Sequence, residues 1–183
     1  ASIGKLYHLN LTGGEPFLRI DLDEIARIFY KNCRVKSLAI PTNGFGPLKI
    51  CNLTENLLKK CPQAKLHINV SIDHLGRQHD QIRNFPGLFQ QATQTIKSLQ
   101  GLHAKNLSVG VNLTLTGQNQ DAIEEIYCFI KDELKPDLIS PLLIRGQTSE
   151  PETRGIALGQ YKKLIDLWET DIKLHKFKGY HAF

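Results

Sequence analysis

The sequence predicts an α/β fold built on a parallel sheet. Short β-rich runs alternate with amphipathic stretches at a repeat of roughly 30 to 40 residues, and parallel strands need such crossovers, usually helical. The chain of 183 residues, 41% apolar and 22% charged, is long enough to bury a core of its own and has a globular composition. No linker or change of composition divides it, so residues 1–183 are expected to form a single domain.

The first strand is expected at Lys5–Leu11. Asp21 then opens a helix as N-cap, with Glu24 three residues on as in a capping box, and Leu22, Ile25, Ile28 and Phe29 give that helix one apolar face. Val35–Ile40 is the second strand, ended by Pro41-Thr42-Asn43-Gly44, a strong turn signal. A helix over Leu53–Lys60 stops before Pro62. Lys65–Ile72 is the third strand. After a polar loop, Pro86 suits the first turn of a helix running to Leu99, with Gly101 beyond its end. Leu107–Leu115 alternates as a fourth strand. Asp121–Leu134 is helical and closes before Pro136, Leu138–Ile144 is the fifth strand, and a last helix covers Leu158–Leu174. Lys176–Phe183 has no clear period.

Five β-α units in a row fit either an open doubly wound sheet or part of a (β/α) barrel. In both, ligands bind at the carboxyl ends of the strands. Small polar residues concentrate there: Thr12-Gly13-Gly14-Glu15-Pro16, Thr42-Asn43-Gly44, Ser71-Ile72-Asp73, Asn112–Thr116 and Arg145-Gly146. In the first segment two glycines let the backbone approach a ligand without a Cβ in the way. Pro16 holds the preceding residue extended. Freed carbonyls there can accept from an ammonium group, with the Glu15 carboxylate adding charge assistance. The segment has neither GKS/T nor GxGxxG, so it is no phosphate loop of those kinds. A tight turn with a solvated Glu15 is the plainer alternative.

Leu11-Thr12-Gly13-Gly14-Glu15-Pro16-Phe17-Leu18-Arg19 closely resembles the GGEP segment of radical S-adenosylmethionine (SAM) enzymes. Thr42-Asn43-Gly44 follows at the end of the next strand. Ser71-Ile72-Asp73-His74-Leu75-Gly76, then His79-Asp80-Gln81-Ile82-Arg83 and Pro86-Gly87, is similar to that family's S-I-D-G-x-x-x-x-H-D-x-I-R-G-x-P-G stretch, with His74 and Asn84 where glycine is usual. The resemblance runs from about Leu9 to Gly146. It implies a partial (β/α) barrel, of which about five of six β-α units lie in this chain.

The resemblance also implies a set of cofactor-binding residues. Gly13, Gly14, Glu15 and Pro16 would hold the methionyl ammonium of SAM, and Ser71 would face the cofactor's polar groups. Asp73 would order its loop. Arg83 would pair with the cofactor carboxylate, which suits a guanidinium fork, or brace the loop in a pair with Asp80 or Asp73. Asn43 and Asn112 would point to the same mouth, and His79 fits a loop brace better than a proton shuttle. No catalytic residue and no metal ligand is assigned within the chain. The family's [4Fe–4S] cluster is held by three cysteines in C-x3-C-x2-C before the GGEP strand, thiolates being its usual ligands. Reduction of SAM at the cluster yields a 5′-deoxyadenosyl radical that abstracts hydrogen from substrate.

In this sequence that loop would precede Ala1. Cys33, Cys51, Cys61 and Cys128 fit no metal spacing and are expected to be buried or half-buried thiols. The expectation is therefore the core of a radical SAM oxidoreductase-type enzyme, cut at its amino end and unable as given to assemble the cluster. The expected partners are a small-molecule or peptide substrate, peptide modification being the branch favoured, and an electron donor such as flavodoxin or ferredoxin. The alternative is a non-catalytic β/α module binding a small anionic or nucleotide-like ligand. An open sheet edge further suggests self-association.

The net charge of +5 favours anionic ligands in general. No basic stripe interleaved with aromatics suggests nucleic acid. No apolar run approaches the roughly 18 residues of a membrane span, and sparse cysteines suit a reducing, cytoplasmic setting. The sequons at Asn10, Asn52, Asn69, Asn106 and Asn112 are then chance matches.

Overall fold

A computed structural model describes residues 3–144 and 155–174. The strands are β1 (His8–Asn10), β2 (Ser37–Thr42), β3 (Lys65–Ser71), β4 (Leu107–Leu115) and β5 (Leu138–Leu143). The helices are α1 (Leu22–Cys33), α2 (Pro47–Lys60), α3 (Gly76–Ile82), α4 (Leu88–Gln100), α5 (Ile123–Phe129) and α6 (Leu158–Lys173). The sheet order is β1-β2-β3-β4-β5. Pairs β1–β2, β2–β3 and β4–β5 are parallel. This order decides between the two architectures. A doubly wound sheet reverses its strand order at a switch point, and here it never reverses. The fold is the α/β partial barrel. Arg145-Gly146 and Lys176–Phe183 lie outside the described residues. Among the described residues no helix is long and apolar enough to cross a membrane.

The chain divides into two compact units, residues 1–70 with 91–109 and residues 71–90 with 110–183. In the first, alternation on β2 and β3 buries Leu38, Ile40, Leu66, Ile68 and Val70. Helix α1 buries Leu22 and Ala26, α2 buries Ile50 and Leu57, and α4 contributes Ala92, Ile96 and Leu99. These positions recur every three to four residues, the period of one helix face. Lys60 of α2 reaches Asp23 of α1 at 2.8 Å. In the second unit Val111, Leu113 and Leu115 of β4, Ile139 of β5, Ile123, Ile126 and Tyr127 of α5 and Leu164 of α6 are buried.

Several boundaries differ from expectation for local reasons. Asp21 is the N-cap of α1 but makes no capping bond. Its carboxylate is held by Arg19 Nε and Nη2, at 2.9 and 2.8 Å, and Glu24 is held by Arg27, so the capping box is replaced by two ion pairs. Helix α2 starts at Pro47, six residues before Leu53, because proline is tolerated in a first helical turn, where its missing N–H costs nothing. Pro86 lies outside α4. The polar loop after β3 contains α3, whose sequence GRQHDQI buries only His79 and so shows no apolar period. The helix expected over Asp121–Leu134 is a 3-10 turn (Gln120–Ala122), then α5, then a π turn (Ile130–Leu134).

Candidate functional site

In the first unit, the segment after β1 forms one wall of a cavity of about 490 Å³ lined by Asn10, Leu11, Thr12, Gly13, Gly14 and Glu15, with Arg19 and Ile25 among its other residues. That volume lies within the range of small-molecule sites. A Cβ placed on Gly13 or Gly14 would meet nothing within 4 Å, so the loop faces open space. Among the described residues none hydrogen-bonds to the backbone of Thr12, Gly13 or Gly14. Their carbonyls and N–H groups are unspent, which is what a ligand ammonium or carboxylate needs.

Glu15 holds this loop in place. Its Oε1 accepts from Phe17 N (3.1 Å) and from the Thr42 hydroxyl (2.9 Å), and its Oε2 accepts from Asn43 N (2.7 Å). The carboxylate therefore ties the loop after β1 to the end of β2, a brace the sequence does not announce. Pro16 starts the 3-10 turn Pro16–Leu18 behind it. Thr42 Oγ1 also accepts from Gly44 N, and Asn43 Oδ1 accepts from Phe45 N. Gly44 has φ +84°, and a Cβ there would sit 2.6 Å from Ala92 Cα. The Thr95 hydroxyl donates to Gly44 O at 2.7 Å, so α4 clamps the turn that presents Asn43.

In the second unit, Ser71 is the last residue of β3, half-buried. Asp73 is 4% exposed and bound on every polar atom. Its Oδ1 accepts from Thr114 N (3.2 Å), its Oδ2 pairs with Arg83 Nη2 (2.5 Å), its N–H donates to His79 Nδ1 (3.1 Å), and its carbonyl accepts from Asn119 Nδ2 (2.7 Å). Of the partners open to Arg83, the structure selects Asp73. Asp80 instead accepts from Gly87 N and Phe89 N (2.7 and 2.8 Å) at the start of α4, and these bonds, that from Phe89 first, hold its carboxyl below the usual carboxylate range. Asn84, where the family resemblance expects glycine, has φ +51°, a conformation asparagine tolerates. His74 has no positive φ, and its Nδ1 accepts from Leu75 N. Asn112 lies inside β4, three residues before its end, with its carbonyl accepting from Ile72 N (3.0 Å).

Asn119 belongs to none of the sequence motifs. It is 1% exposed. Its amide donates to Asp73 O and Thr114 O, and its Oδ1 accepts from Thr116 N. Only its neighbours Gly117 and Gln118, a turn signal after β4, mark the place in the sequence.

The four cysteines are free. Cys33 and Cys61 are buried, Cys51 and Cys128 half-buried. Cys33 ends α1, Cys51 lies in α2, Cys61 caps its end, and Cys128 lies in α5. Burial pushes the thiols of Cys51 and Cys61 up, away from the thiolate a cluster needs. Among the described residues no group of three His, Cys, Asp or Glu could hold a metal. The residues present therefore do not fit an iron–sulfur cluster, while the open loop at Gly13-Gly14 fits a polar organic cofactor.

The family model of the radical SAM superfamily matches residues 1–130. The chain belongs to the radical SAM superfamily. Members of this superfamily use SAM and a [4Fe–4S] cluster. The Fe-coproporphyrin III synthase of Methanosarcina barkeri is 28% identical over 174 residues, 93% of this chain and 41% of that protein. The pre-heme d1 synthase of Dinoroseobacter shibae is 31% identical over 166 residues, 89% and 38% of the two chains. The GTP 3′,8-cyclase of Lactiplantibacillus plantarum is 30% identical over 125 residues, 68% and 35%. The chain thus spans about two fifths of the length of these curated relatives. Among solved structures, native anSMEcpe with bound AdoMet shares the fold with a TM-score of 0.63 at 16% identity, over 93% of this chain and 48% of that one.

Proposed function

We propose that this radical SAM chain binds SAM, with the methionyl ammonium on the free carbonyls of the Thr12–Gly14 loop. The observation that carries this is the loop itself: unspent backbone groups, open space before two glycines, and a carboxylate behind them fixing their position. Glu15 acts here as the brace, with Asn43 N on the same carboxylate. Ser71 and Asn112, each at or near the carboxyl end of its strand, where α/β folds of both kinds bind ligands, and the guanidinium of Arg83 at the end of α3 are proposed as further cofactor-binding groups. Asp73 has no free polar atom and acts by position. Pro16 fixes the turn that follows the glycines.

The chemistry proposed for the whole protein is that of its superfamily. A bound cluster supplies the electron that cleaves SAM to a 5′-deoxyadenosyl radical for hydrogen abstraction. The described residues offer no group of ligands for it. An electron donor of the flavodoxin or ferredoxin kind and pairing through the outer edge of the sheet belong to the same proposal. For the substrate, the two relatives matching 93% and 89% of this chain are named as synthases of haem-related compounds. That breadth of match supports a haem-type precursor over the peptide favoured by the motif alone. A peptide-bound neighbour shares only the fold.

Titration of the 15N-labelled chain with SAM tests the binding. The amides of Gly13, Gly14 and Asn43 are expected to move together, saturating at about millimolar SAM or below. Amides that stay in place under SAM while shifting with simple anions would replace this proposal with the alternative of a general anion-binding module.

A further inference from the structure

His79 is fully buried, and its chemistry is spent in an unusual way. Nδ1 accepts the Asp73 N–H at 3.1 Å, while Nε2 is sealed from solvent with no hydrogen-bond partner. An acceptor nitrogen carries no proton, so the neutral ring must carry its proton on Nε2. The ring packs edge-on against Phe89, centroids 5.9 Å apart. Phe89 in turn packs on Phe129. No hydrogen-bond partner faces Nε2.

We propose that His79 is a positioning residue for the loop Ser71-Ile72-Asp73: a neutral, Nε2-protonated imidazole whose bare Nδ1 fixes the direction of the Asp73 N–H. Its bearing on SAM rests on the binding proposed above, whereas the state of the imidazole does not. An apolar side chain at this position would leave the buried Asp73 N–H unpaired, which is costly. A charged imidazole would set a proton against that same N–H. Arg83 makes the neutral form stable. It sits one helical turn beyond His79, its backbone N–H bonded to His79 O (3.0 Å), and its guanidinium neutralises the Asp73 carboxylate. That carboxylate is the charge that would most attract a proton to the ring. The other charged or titratable groups facing His79 are Asp80 and His74. Burial dominates all of them and holds the imidazole down to about 4.

The test uses 15N NMR of the ring together with three variants. The wild-type His79 ring should show the Nε2-protonated tautomer with no titration near pH 6.5. His79→Asn retains an acceptor oxygen close to the place of Nδ1, and the amides of Ser71, Ile72 and Asp73 should keep near wild-type shifts. His79→Ala, checked for folding by circular dichroism, should displace those amides and weaken SAM binding about tenfold, the loss expected when one buried donor goes unpaired. Arg83→Met should raise the point at which His79 titrates. A ring protonated on Nδ1, or a His79→Ala protein with unmoved Ser71–Asp73 amides, overturns the proposal. Should the wild type show no SAM-induced shifts, the binding proposal fails, and the tautomer and loop amides still decide the role of His79.

Discussion

Replacing Glu15 with glutamine changes one atom and the charge, yet the geometry predicts a large effect. The carboxylate accepts three hydrogen bonds, from Phe17 N, Thr42 Oγ1 and Asn43 N. A hydrogen bond to a charged group contributes about 1.5–3 kcal/mol and a neutral one about 1 kcal/mol. With its carbonyl oxygen toward Phe17 and Thr42, the glutamine would keep two bonds at neutral strength and point its NH2 at the Asn43 N–H. The shortest bond, 2.7 Å, is then lost and two donors face each other. Because Asn43 is only half-buried, water repairs part of the loss. The expected destabilisation of Glu15→Gln is about 2–4 kcal/mol. Urea denaturation followed by circular dichroism should show a midpoint about 1–2 M lower at an unchanged slope. Thr42→Val should cost less alone, and the double variant should be less destabilised than the sum, since the Thr42 bond that glutamine weakens is the one that valine removes. A Glu15→Gln protein within about 0.5 kcal/mol of wild type, or an additive cycle, would refute the bracing role.

Gly44→Ala should destabilise by about 2–4 kcal/mol, because a left-handed φ and a Cβ 2.6 Å from the Ala92 backbone add strain to overpacking; unaltered urea unfolding would contradict this. His79 makes the fold acid-sensitive. Its folded value near 4 lies below the ordinary 6.5, so the unfolded chain binds the proton more tightly, and stability falls as pH drops from 6.5 and levels off near 4. The span corresponds to about 2–4 kcal/mol; the His79→Asn protein should lack this component, and identical pH profiles of the two proteins would rule it out. Asp80→Ala removes two acceptors at the start of α4 and should cost about 0.5–2 kcal/mol, read as a lower urea midpoint, with faster amide exchange at Gly87 and Phe89 than elsewhere in the helix.

The strands and the larger helices were legible because their signal is local. Leu66, Ile68 and Val70 alternate in β3, and α6 was found at Leu158 from its periodic apolar residues. The chemistry-bearing loops were legible for another reason. Glycine pairs, proline and small polar residues at strand ends constrain the backbone wherever they occur, so Gly13-Gly14-Glu15-Pro16 and Thr42-Asn43-Gly44 stood out. Side-chain pairing was not legible. Asp21 sits where an N-cap should, but Arg19, two residues before it, takes its carboxylate, and a capping pattern gives no hint of that competitor. Helix α3 failed to register because six of its seven residues face outward or halfway, leaving His79 as its one buried anchor. Asn119 and Thr114 meet Asp73 across more than 40 positions of sequence, a distance over which periodicity carries no information.

The two loops carrying the motifs differ in a way that bears on their roles. The loop after β1 keeps its backbone groups unspent and spends a side chain, Glu15, to hold still. The loop after β3 spends everything: the N–H, carbonyl and carboxylate of Asp73 are each taken by a different residue. Buried polar groups satisfied this fully specify one conformation, and they leave nothing with which to touch a ligand. Contact and position are therefore divided between neighbours in sequence. Ser71, half-exposed at the end of β3, keeps its hydroxyl free of any partner among the described residues, while Asp73, two residues on, fixes the loop that follows. Ser71→Ala should then weaken ligand binding without lowering stability, and Asp73→Asn should do both, because the Arg83 pair cannot survive loss of its anion.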